Sequence, residues 1–148
     1  MRVTTLALGT AILVLLVSGA NGGEANKKSK LEGTWRAVSA IQNGKEDKTP
    51  EEHTLTFEGK TFIMKKGDKV EAKGTFDVDP KKTPHTIDMT MTEGPKKFKD
   101  KTAKGIYEIK EDTLRWCSSA PGIETRPTEF AAPEGSMLLF VTLKREKK

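Results

Sequence analysis

A chain of 148 residues with 26 Lys and Arg, 21 Asp and Glu, one cysteine and two histidines is long enough for one domain with its own core. A single thiol, Cys117, excludes an internal disulfide, and with only His53 and His85 beside it the composition argues against a dedicated zinc site. The net charge of +5 is modest and dispersed, with small lysine clusters near 27–30, 65–69, 96–104 and 144–148, so it describes a solvated surface rather than a nucleic-acid footprint.

Arg2 is followed by an apolar run over 6–17 and by Ser18, Gly19 and Ala20, the pattern of a secretory signal peptide over 1–20. The run is shorter than the about 20 residues a membrane span requires, and no Cys at the cleavage site would take a lipid. The expected product is a soluble exported protein, secreted or periplasmic. It has 128 residues (148 less the leader's 20) and, without Arg2, a charge of about +4. A leader kept as an anchor is the competing reading. Residues 21–30 show no apolar period and read as a flexible lead-in, which leaves 31–146 as the domain.

Over 31–41, Leu31, Gly33, Trp35, Ala37, Ser39 and Ile41 share one face of a first strand. Gly33 two residues before Trp35 lets another backbone approach while the ring plugs one end of a barrel. Asn43 and Gly44 break the pattern. Thr49, Pro50 and Glu52 then have the form of an N-cap, a first helical residue and a capping-box partner, which predicts one short helical turn.

The remaining segments alternate at period two. His53, Leu55 and Phe57 form one row, and Phe62 with Met64 the next. Val70, Ala72, Gly74, Phe76 and Val78 form a third, with Glu71 among the outward residues. Ile87, Met89 and Met91 follow, with His85 at the strand start, and then a lysine-rich exposed loop ending at Lys101. Ala103, Gly105, Tyr107 and Ile109 give the sixth row, and Leu114, Trp116 and Ser118 the seventh. The segment 120–135 is long for a hairpin connection and invites a functional reading. The last strand, 137–145, is apolar on both faces through Leu143, so something is expected to pack on its outer side, with Phe130 the candidate.

Eight short strands without a long helix predict an all-β fold: an eight-stranded antiparallel up-and-down barrel, whose closure removes exposed edges. An open two-sheet sandwich is the alternative. From 31 to 145 the chain resembles a secreted lipocalin-like domain family of unknown function found in planctomycete bacteria. The resemblance is carried by Leu31-Glu32-Gly33-Thr34-Trp35, Gly74-Thr75-Phe76, Ile87-Asp88, Thr92-Glu93-Gly94-Pro95, Gly105-Ile106-Tyr107-Glu108, Asp112-Thr113-Leu114, Cys117 and Arg126-Pro127-Thr128-Glu129-Phe130 in that order. It implies a calycin-type barrel and no particular activity. Similarity to lipocalins proper further implies that a basic residue near the chain end, Arg145, stacks on Trp35, with Gly33 completing the closure. Their other loop motifs are missing, so their ligand chemistry does not carry over.

The Ser, Cys and His residues show no spacing that suggests a nucleophile, base and orienting group, so a non-enzymatic protein without a cofactor is expected. Cys117 reads as a small hydrophobe under the long loop, and Asp88 and Glu108 fall on outward faces by parity. The inward rows mix large and small side chains, which suits either a filled core or a small cavity. Two functions follow. One is a monomeric carrier of a small apolar or amphipathic ligand among Trp35, Phe62, Phe76, Met89, Tyr107 and Trp116. The other is an envelope module with a filled core, whose 120–135 loop (Arg126, Pro127, Glu129, Phe130) and basic rim contact a protein or an acidic polymer.

Overall fold

The alternating segments become strands in the computed structural model, which describes residues 30–147. The expected leader over 1–20 and nearly all of the lead-in over 21–30 lie outside the described residues. In chain order the strands are β1 (Gly33–Gln42), β2 (Lys45–Glu46), β3 (His53–Glu58), β4 (Thr61–Lys66), β5 (Lys69–Asp79), β6 (His85–Glu93), β7 (Thr102–Lys110), β8 (Thr113–Ser119) and β9 (Leu138–Arg145). Each long strand pairs antiparallel with its neighbour in sequence, and β1 pairs with both β3 and β9. That last pairing closes an eight-stranded barrel and leaves no long edge exposed. The two-residue β2, which the alternation does not predict, folds back on the end of β1.

The helical turn after the first strand is a single 3-10 turn, Pro50–Glu52, with Pro50 at its start. Its capping box does not form. Thr49 makes no side-chain cap, and instead its N–H donates to Asp47 Oδ1 at 2.9 Å. A second 3-10 turn, Lys96–Phe98, interrupts the lysine-rich loop.

Three bulges interrupt the ladders, and two of them correct the predicted faces. Between Ala37 and Ser39 the register of β1 against β9 shifts by one residue, so Ser39 and Ile41 turn outward and Ala40 and Gln42 pair with inward Val141 and Leu139. A bulge at Glu71 leaves Val70 opposite Lys65, and Val70 is exposed rather than inward. A third, at Thr92, lies between β6 and β5. Elsewhere the period-two rows hold: Leu55, Phe57, Phe62, Ala72, Phe76, Ile87, Met89, Ala103, Tyr107, Leu114, Trp116, Val141 and Leu143 are all buried. Each large apolar side chain withdrawn from water in this way contributes about 1.5–3 kcal/mol before entropy is counted.

The turns sort to two ends. The chain entry at Leu31, the turn at Gly59 and Lys60, the 80–84 connection and the turn at Glu111 and Asp112 lie at one end. The two 3-10 turns, Gly67 and the segment 120–137 lie at the other. Among the described residues no helix is long and apolar enough to cross a membrane.

Candidate functional site

One end of the barrel is plugged. Trp35 is fully buried, and its indole N–H donates to the Leu31 carbonyl at 2.8 Å. The Arg145 guanidinium lies 4.1 Å from the centre of the ring and donates to the carbonyls of Glu32 and Lys30, both at 2.7 Å. Gly33 has a φ of 117°, and a Cβ there would stand 3.3 Å from Arg145 Nη1, so the glycine gives the guanidinium its place. Cation–π contacts of this kind contribute about 0.5–2 kcal/mol. Above the plug, Phe57 and Phe76 meet edge to face at 4.9 Å, and Tyr107 lies 5.3 Å from His85. Burial, and secondarily the charge of Asp79, pushes the Tyr107 phenol up from its ordinary value. Trp35, Phe76 and Tyr107 therefore sit in the plugged half, away from the cavities described next.

The other half is hollow. One cavity of about 270 Å³ is walled by Ala37, Ala40, Leu55, Met64, Trp116 and Val141, among others. A second of about 190 Å³ is walled chiefly by Phe62, Met64, Met89, Met91, Ala103 and Trp116. Gln42, Met64, Trp116 and Leu139 belong to both walls, which makes them lobes of one interior separated by those four side chains. Of the six residues expected to bind a ligand, Phe62, Met89 and Trp116 line this space. Met64, Ala40, Gln42 and Leu139 join them. The first of these was visible in its row, and Ala40 and Gln42 were hidden by the bulge in β1.

Trp116 is the central feature. It is only 6% exposed, and its indole nitrogen has no hydrogen-bond partner among the described residues. A buried donor left unpaired costs about 1–3 kcal/mol. Its ring can reach this position because β7 has a glycine beside it: a Cβ at Gly105 would stand 3.1 Å from Trp116 Nε1 and 2.8 Å from the Cys117 carbonyl.

The two lobes differ at their mouths. The first ends in polar groups: His53 Nε2 lies 3.2 Å from Asp47 Oδ2, and His53 Nδ1 lies 3.7 Å from Glu71 Oε2. The hydrogen bond from Thr49 N–H outweighs the opposing effect of burial and, with the charges of His53 and Lys66, holds the Asp47 carboxyl below its ordinary value. Glu71 reaches this mouth from the bulge that sequence parity had placed outside. The second lobe ends in Phe98, Pro121 and Met137.

The long segment between β8 and β9 folds down on the outer face of β7, β8 and β9. Arg126 donates to the Gly105 carbonyl at 2.7 Å and pairs with Asp88 at 2.7 Å. Phe130 and Phe140 stand 6.2 Å apart, with the Arg115 guanidinium over both rings. Pro127 is buried and Glu129 is exposed. Cys117 lies beneath, its thiol donating to the Ala131 carbonyl at 3.4 Å, and burial pushes that thiol up from its ordinary value. Asp88 and Glu108 point outward and pair with Arg126 and Arg115.

No family model, curated protein or solved structure matches the chain.

Proposed function

We propose that this is an exported, non-enzymatic, lipocalin-like binding protein that holds one small apolar or amphipathic molecule in the open half of its barrel. The observation that carries this reading is the two-lobed interior around the indole N–H of Trp116, which is unpaired among the described residues. A core selected only for packing approaches crystal-like density and pairs its buried donors. Each lobe is smaller than the about 300–1,000 Å³ of common ligand pockets, so the ligand is compact or slender. An apolar portion suits the methionine-lined lobe, and a polar end suits the mouth at Asp47, His53 and Glu71. The resemblance to the secreted planctomycete family belongs to the same proposal, and the barrel supports it.

The dispersal of the reactive side chains supports a non-catalytic role. His53 faces two carboxylates at the open mouth, whereas His85 lies beside Tyr107, its Nδ1 2.9 Å from the Lys82 carbonyl. Ser118 Oγ donates to the Ser119 carbonyl at 2.9 Å. The loop reading draws less support, because Arg126, Pro127 and Phe130 are engaged with the barrel wall.

The test is a titration with fatty acids, long-chain amines and hydrophobic dyes, followed by tryptophan fluorescence in a Trp35→Phe background. A saturable change at one equivalent is expected from at least one class. No saturable response across the panel counts against ligand binding and favours the envelope-module alternative.

A further inference from the structure

The open end carries apolar surface that the barrel itself does not use. Met137 is 67% exposed and Ile123 50%. Phe98, Pro121 and Met137 surround the mouth of the methionine-lined lobe, and Ile123 follows Pro121 in a turn closed by its N–H to the Ala120 carbonyl at 3.1 Å. Beside them runs Lys96-Lys97-Phe98-Lys99-Asp100-Lys101, with all four lysines exposed. Two contacts tie these groups into one lip. Lys97 Nζ lies 4.7 Å over the Phe98 ring, and Lys101 Cδ lies 3.0 Å from where a Cβ at Gly122 would stand. The nearby acid Glu124 is held by Lys104 at 2.7 Å. Against the four lysines stand Asp100, Glu93 at the end of β6 and, three residues before Met137, the exposed Glu134, so the lip keeps a cationic excess.

Single exposed apolar residues are ordinary, but the arrangement here is specific. Met137 has a φ of 58°, a backbone state that a long unbranched side chain rarely adopts. Its N–H donates to Asn43 Oδ1 at 3.1 Å, which fixes the chain at the mouth with the thioether outside. Apolar tips ringed by lysines match the boundary between headgroups and acyl chains of an anionic bilayer. An acidic polymer would satisfy the lysines and leave Met137 and Ile123 in water, so the pattern favours lipid.

We propose that this lip, formed by Lys96, Lys97, Lys99, Lys101, Ile123 and Met137, docks on an anionic lipid surface and sets the cavity mouth against it. The docking does not depend on ligand in the barrel.

Cosedimentation with vesicles of phosphatidylglycerol and phosphatidylcholine, against phosphatidylcholine alone, tests it. Because the barrel closes within 30–147, the protein is used without its leader and without ligand. Partition onto the anionic vesicles is expected, weakening with salt. Each lysine neutralised, as in Lys97→Gln or Lys99→Gln, lowers it about fivefold. Met137→Asn, which keeps the left-handed backbone, combined with Ile123→Ser lowers it by about fivefold or more. Unchanged unfolding midpoints show that the variants fold. Equal partition onto neutral vesicles, or partition indifferent to the lysines, overturns the proposal. So does binding to soluble polyglutamate as tight as to anionic vesicles and indifferent to the Met137 and Ile123 changes, which reassigns the lip to an acidic polymer. Failure here leaves the cavity reading intact, since no ligand takes part.

Discussion

The indole nitrogen of Trp116 rests against Gly105, 3.1 Å from the point where a Cβ would begin. The Cys117 carbonyl stands at 2.8 Å from the same point, so there is no direction in which an added methyl relaxes freely. Gly105→Ala is expected to push the Trp116 ring toward the lobes and to destabilise the fold by about 1–3 kcal/mol. A urea midpoint equal to that of the parent would mean that the ring is not held where it is described.

At the plugged end, Arg145 combines a ring contact with two hydrogen bonds to the backbone of the chain entry. Arg145→Leu is expected to cost about 1–4 kcal/mol. Arg145→Lys should recover only part of this, since an ammonium cannot stack flat and reach both carbonyls together. Ligand affinity should hardly change in either variant, because the plug lies at the far end from the lobes. Chemical denaturation and a fluorescence titration on the same samples separate the two effects.

Alkaline stability follows from two buried acids. Burial raises the Cys117 thiol above its usual 9.0 and the Tyr107 phenol above its usual 10.0. In that window the folded chain keeps protons that the unfolded chain has released, so the unfolded state gains as pH rises. The contribution is complete below the unfolded values and is lost progressively above about pH 9. Cys117→Ala should move the start of the decline toward the tyrosine range. Midpoints measured from neutral pH upward check this, and an unmoved start would exclude the thiol.

The architecture was legible because, apart from the bulged ends of β1 and β5, the barrel strands place inward residues at period two, and because Trp35 and Arg145 sit at the two chain positions that a closing β1 and β9 bring together. The mouth was not legible. A bulge adds one residue and reverses the parity of everything beyond it, and nothing in Val38, Glu71 or Thr92 announces one. These positions are set by the curvature needed to close the barrel, a property of all eight strands together. The reversal in β1 brought Ala40 and Gln42 inward in place of Ser39 and Ile41, and the bulge in β5 brought Glu71 to the polar mouth. The hollow was equally hidden, since a list of small inward residues does not reveal whether neighbouring aromatics lean into the space they leave.

Filling that space should separate binding from folding. Ala40 lines the larger lobe and is partly buried. Ala40→Leu places three carbons in the void, and cavity-filling changes of this kind leave stability unchanged or raise it by about 0.5–2 kcal/mol. Binding should fall at least tenfold. A variant that is equally stable and binds as well as the parent would show that the larger lobe is not the site.

The most direct measurement is the nitrogen–proton NMR spectrum of the two indole groups during ligand titration. The chain contains two tryptophans; Trp35 donates to the Leu31 carbonyl in the plug, and Trp116, between the lobes, has no partner among the described residues. Addition of a ligand that quenches fluorescence should move the Trp116 signal and leave the Trp35 signal in place. A ligand that shifts Trp35 while Trp116 stays still, or that shifts neither, would contradict a binding site in the open half of the barrel.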